Sequence, residues 1–150
     1  MTGADRLASR QPSSDYSRRM DADGRLDVVR DAVAHLDGLR LLVLHGSRSR
    51  GDEHARSDWD FGYQGDARLD PATLHVALTQ TLGTEQIDLT DLDRASGLLR
   101  IQVAQRGRSV YEHAPDAFEA FVLAAALFWC DAEPVIRRAH EAVLAELPSR

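Results

Sequence analysis

Asp58 and Asp60 sit two residues apart in Asp58-Trp59-Asp60-Phe61-Gly62-Tyr63, a segment that alternates polar and aromatic side chains. Such alternation predicts a strand with one buried face. Residues two apart on a strand project to the same side, so the carboxylates share one face while Trp59, Phe61 and Tyr63 enter the core. Carboxylates held side by side repel unless positive charge lies between them, and Mg²⁺ is a hard cation that prefers carboxylate and phosphate oxygens. Ten residues separate Asp58 from Gly46-Ser47 on its N-terminal side. A glycine lets backbone approach a ligand closely, and amides beside a serine hydroxyl at the start of a helical turn suit phosphate oxygens. Asp88 lies on a further alternating segment, Gln86 to Leu92, on the face opposite Ile87 and Leu89. If the two acidic strands are neighbours, three carboxylates converge around a nucleotide phosphate, the arrangement that two-metal catalysis requires. Asp91 and Asp93 are rivals for the third position. Alternation puts Asp91 on the opposite face, and Asp93 suits a cap of the next helix, so Asp88 is preferred.

The elements that hold these residues follow from pattern. Residues 1–24 are polar and aperiodic and predict a flexible N-terminal tail, with Met20 an alternative start; residues 25–150 form the folded domain. Leu26, Val29, Val33 and Leu36 recur at helical spacing, and Gly38 suits a helix C-cap. Leu39 to Leu44 is almost wholly apolar, as a buried strand requires. His45 to Ser57 reads as a loop or a short helical turn. Pro71 to Leu82 predicts a helix, with Asp70 as its N-cap and Gly83 as its stop. Another helix carries Leu98, Leu99, Ile101 and Val103 and ends near Gly107. Two closing helices, from about Asp116 to Asp131 and from Pro134 onward, predict a C-terminal helical hairpin. Strands alternating with helices give an α/β (α+β) domain, a small mixed sheet flanked by helices.

Composition narrows the chemistry. The chain has 150 residues, with 43% hydrophobic and 28% charged, enough for one domain with its own core. All 18 basic residues are arginine. Without lysine there is no Walker A loop, no protein-kinase phosphate lysine and no pyridoxal Schiff base. A net charge of −6 disfavours nucleic acid as a partner. Cys130 is the single cysteine, so no internal disulfide forms and a reducing, cytoplasmic setting fits. No apolar run reaches the ~20 residues of a membrane span. His45, His54, His75, His113 and His140 show no pairing at metal-ligand spacing, which argues against zinc. The Phe118 to Trp129 aromatics read as packing between helices.

His45-Gly46-Ser47-Arg48-Ser49-Arg50-Gly51 with Ser57-Asp58-Trp59-Asp60 resembles the nucleotidyltransferase motif of the DNA polymerase β superfamily. It is most similar to the minimal nucleotidyltransferase branch, the MNT-type antitoxins paired with HEPN toxins. Ile87 to Leu92, Ala95 to Arg100, and Gly107 with Val110-Tyr111-Glu112 resemble that branch's third-carboxylate region, so the likeness covers about Leu39 to Glu112. His45 departs from the aromatic or aliphatic residue usual there, and Ser49 from alanine.

The resemblance implies a polymerase β-type nucleotidyltransferase fold and transfer of AMP from ATP to a hydroxyl with release of pyrophosphate. It implies that Gly46 and Ser47 hold the β- and γ-phosphates, with Arg48 or Arg50 pairing with the triphosphate. Asp58, Asp60 and Asp88 would ligate two Mg²⁺ ions, and Asp88 would help deprotonate the attacking hydroxyl. The acceptor it implies is a tyrosine of a HEPN toxin, bound in a heteromeric complex. The alternatives are transfer to a small-molecule hydroxyl such as an antibiotic, or a non-catalytic antitoxin that neutralises its partner by contact.

Overall fold

The computed structural model describes residues 14–51 and 57–146. Four strands form one sheet in the order β3-β2-β1-β4. β1 (Leu39–His45) lies antiparallel to β2 (Trp59–Gly65) and to β4 (Arg108–Glu112), while β2 and β3 (Ile87–Asp91) run parallel. A parallel pair needs a crossover, and α3 (Pro71–Leu82) supplies it. Its ends are those expected. Asp70 accepts the Ala72 amide at 3.1 Å, Pro71 occupies the first turn, and Gly83 closes the helix in the left-handed conformation.

Both faces of the sheet are covered. On one, Val29 and Val33 of α1 (Ser14–Val33) and Leu74 and Leu78 of α3 pack on Leu42, Leu44, Trp59 and Phe61. On the other, Val103 of α4 (Gly97–Arg106) and Phe121 and Ala125 of α5 (Ala117–Glu146) pack on Leu41, Val43 and Leu92. β1 therefore feeds two cores, which explains its apolar run from Leu41 to Leu44. The mixed sheet flanked by helices agrees with the fold class expected from sequence. Among the described residues no helix is long and apolar enough to cross a membrane.

Three expectations are corrected. Helix α1 begins at Ser14, so residues 14–24 are helical, not part of a tail. Residues 1–13 lie outside the described residues. Gly38 is not the cap of α1, which ends at Val33; it turns the chain into β1 at φ 81°. A side chain there would meet Asp66 and the Leu69 amide at 2.6 Å. The C-terminal hairpin is replaced by one continuous helix, with Pro134 inside α5. No glycine lies between Cys130 and Pro134 to stop the helix, which continues through the proline, and the Cys130 carbonyl forgoes an amide partner.

Candidate active site

The site forms at the end of β1, where the chain turns from strand into helix. Side-chain alternation along β1 puts Leu41 and Val43 on the α4/α5 face, and His45 follows them there. Gly46 then adopts φ 71° and opens α2 (Gly46–Arg50), a single turn whose N-cap position, His45, makes no side-chain capping bond. Ser49 Oγ donates to the Gly46 carbonyl at 2.8 Å and tightens this turn.

β2 brings the first carboxylates alongside. Trp59, Phe61 and Tyr63 are buried, as their alternation predicts, and the Trp59 and Phe61 rings are parallel within 5° with centroids 6.1 Å apart. That burial fixes which way the strand faces, so Asp58 and Asp60 share the other side. Asp58 is exposed and precedes the first strand residue, whereas Asp60 is partly covered. Asp60 pairs in register with His45 on one side and with Asp88 on the other. His45, Asp60 and Asp88 therefore form a row across three neighbouring strands. The Asp60 carboxylate lies against Gly46, where a methyl group would collide with its Oδ2. Glycine is required here twice over, by φ and by this contact.

The rivals of Asp88 are engaged elsewhere. Asp91 accepts the Asp93 amide at 2.9 Å and lies 3.7 Å from Arg94. Asp93 accepts from Arg40 at 2.9 Å and from Gln64 at 2.7 Å. It does not cap α4, whose N-cap is Ser96.

The electrostatics follow from this crowding. Burial pushes the Asp60 carboxyl above its ordinary value; His45 opposes the shift, Asp88 and Asp58 add to it, and Arg48 opposes it. Burial lowers the His45 imidazole despite the attraction of Asp60 and Asp88. Its Nε2 is buried without a hydrogen-bond partner among the described residues. Sequence reasoning missed the place of His45 in the row, although the period-2 face of β1 gives it once β1 and β2 are paired.

Among the described residues no basic side chain forms an ion pair with Asp58, Asp60 or Asp88. Such a face suits a divalent cation. The three carboxylates do not, however, already close on one point: no cluster of three or more acidic, histidine or cysteine side chains stands ready as a metal cage among the described residues. Parallel side chains on neighbouring strands stand about 4.8 Å apart, and uncompensated like charges do not draw closer. Mg²⁺ is suited to such an open set, because it commonly takes one or two carboxylates and completes its shell with water and substrate phosphates.

The two arginines differ from each other. Arg50 is exposed at the end of α2. Arg48 donates from Nε and Nη2 to the Ser57 carbonyl at 3.1 and 2.7 Å, with its guanidinium 4.3 Å from the Trp59 ring centre. Asp52, Glu53 and His54 lie outside the described residues.

Residues 29–116 match the family model for the polymerase beta nucleotidyltransferase domain. The chain belongs to this family. The nucleotidyltransferase is 33% identical over 96 residues to the protein adenylyltransferase MntA of Aphanizomenon flos-aquae (strain 2012/KM1/D3), a match covering 55% of this chain. It spans 63% of that relative's length. Its fold is also that of a toxin–antitoxin crystal structure with AMP-PNP, with a TM-score of 0.64 and 24% identity over 83% of this chain and 98% of the other. A second neighbour is a chain from the structure of a tri-AMPylated Shewanella oneidensis HEPN toxin in complex with MNT antitoxin. There the TM-score is 0.59 and the identity 22%, over 85% of this chain and 98% of the other.

Proposed function

We propose that this nucleotidyltransferase moves AMP from ATP to a tyrosine hydroxyl of a HEPN-domain toxin and thereby acts as its antitoxin. The observation that carries the reading is the register of Asp60 with Asp88 beside the Gly46 turn. This puts an acidic row next to a backbone turn that can meet a triphosphate. The relatives support the acceptor class, since one is named a protein adenylyltransferase and another comes from a complex of an AMPylated HEPN toxin with MNT antitoxin.

In this reading the α2 amides and the Ser47 hydroxyl hold the β- and γ-phosphates, and Arg50 is the candidate for further triphosphate contact. Asp58 and Asp60, with Asp88, would hold Mg²⁺, which supplies Lewis-acid stabilisation of charge on the α-phosphate and departing pyrophosphate. Asp88 is exposed and accepts the proton of the attacking hydroxyl. The acceptor oxygen forms a bond to the α-phosphorus, the bond to the bridging oxygen breaks, and pyrophosphate leaves with its electron pair.

The test is incubation with α-labelled ATP, Mg²⁺ and a HEPN partner encoded beside this chain. Label on a partner tyrosine, lost in Asp58→Ala plus Asp60→Ala, is the expected result. No transfer overturns the reading. Label moving instead to a polyhydroxylated antibiotic makes the acceptor a small molecule. Full toxin neutralisation by the double variant makes the protein a binding antitoxin.

A further inference from the structure

The motif resemblance implies that Arg48 or Arg50 pairs with the triphosphate, but the geometry gives Arg48 a different employment. Its Nε and Nη2 both converge on one acceptor, the Ser57 carbonyl, at 3.1 and 2.7 Å. Its guanidinium lies 4.3 Å from the centre of the Trp59 ring, within cation–π range. Both partners are firmly placed: Ser57 is 7% exposed and Trp59 3% exposed. These contacts join α2, which carries Gly46 and Ser47, to the residue before Asp58 and the residue between Asp58 and Asp60. The covalent path between the same points runs through residues 49–56, and the arginine adds a side-chain link from α2 to Ser57 and Trp59 beside the His45–Asp60 pairing of β1 with β2.

We propose that Arg48 is a positioning residue that fixes the phosphate-binding turn against the carboxylate strand, rather than a ligand of the triphosphate. Two groups that must act on one nucleotide sit on different elements, and a misplacement of about 1 Å between such groups can cost ~100-fold in rate. Lysine cannot replace arginine here, because it has no planar fork to set two donors on one carbonyl while stacking on an indole.

The inference rests on the nucleotidyl-transfer reading, and its test separates the two. With wild type active, Arg48→Lys and Arg48→Ala are both expected to lower kcat by ~10- to 100-fold, leaving KM for ATP little changed. An arginine that binds the triphosphate predicts the opposite split: KM for ATP rises, kcat largely survives, and lysine rescues. That pattern, or wild-type kinetics in both variants, overturns the proposal. A second measurement needs no turnover. In a Trp129→Phe background the remaining tryptophan, Trp59, reports on the contact directly. Loss of the guanidinium is expected to shift its emission and increase acrylamide quenching in both Arg48 variants; emission and quenching identical to those of the parent overturn the clamp. A wild type that transfers no AMP overturns the functional reading, while the fluorescence comparison still decides whether Arg48 binds α2 to β2.

Discussion

The Asp60 carboxylate lies against Gly46, partly covered by protein and flanked by Asp58 and Asp88. Folding places a carboxylate where burial disfavours its charge, and in the proposed reaction a cation would offset that cost. The consequence for the metal-free protein can be worked out in sign. Because the folded-state pKa of Asp60 is raised, the native state binds more protons than the unfolded state between the ordinary value of 3.8 and the raised one. Stability therefore falls as pH rises through that window and stays lower above it. Asp60→Asn in EDTA is expected to raise the thermal midpoint at pH 7, with the difference vanishing below pH 3.8. The same variant should lose AMP transfer by more than the ~100-fold that an outer-shell partner of a metal is worth. An unchanged midpoint at pH 7 would show that burial of this carboxylate carries no penalty. The sequence made Asp58, Asp60 and Asp88 visible through alternation alone, because strand faces repeat every two residues. It left Arg48 and His45 obscure, since their partners are set by how α2 and β1 meet β2.

At the scale of elements, packing beyond the Gly46 turn holds the site in place. Leu92 follows β3 and packs over Gly62, where even a methyl group would be too close at 2.7 Å. This seats β3 against β2 and keeps Asp88 beside Asp60. Helix α4 then starts at Ser96, whose hydroxyl accepts the Leu99 amide at 3.2 Å. Ser96→Ala should cost about 1 kcal/mol of stability, the usual worth of such a cap, and leave kcat unchanged; chemical denaturation alongside AMP-transfer assays measures both. The α3 boundaries were legible because Asp70, Pro71 and Gly83 are strong local signals. Those of α1 and α5 were not. Residues 14–24 have no apolar periodicity to announce a helix, and Pro134 looks from sequence like a start although the helix passes through it.

At the scale of the whole molecule, α5 extends past the core it covers. Thirty residues of helix extend about 45 Å, yet the core residues it contributes are Phe121 and Ala125, and residues 135–146 are all exposed. Deleting the chain from Val135 onward is expected to leave the thermal midpoint within about 2 °C of the full chain, since the exposed positions 135–146 contribute little to stability. A larger loss would mean that the distal helix supports the sheet. Taken by itself, the sequence made the class of fold and a candidate chemistry legible. Local patterns of period two, one glycine-serine turn and helix punctuation depend only on neighbouring residues. The absence of lysine removed the lysine-dependent phosphate chemistries from the candidates. Tertiary structure alone decided that β2 and β3 are neighbours with Asp60 level with Asp88, that Arg48 turns to Ser57 and Trp59, and that one helix closes the chain. Those outcomes depend on which strands pair and which surfaces bury each other, contacts between residues far apart in sequence that no local pattern encodes.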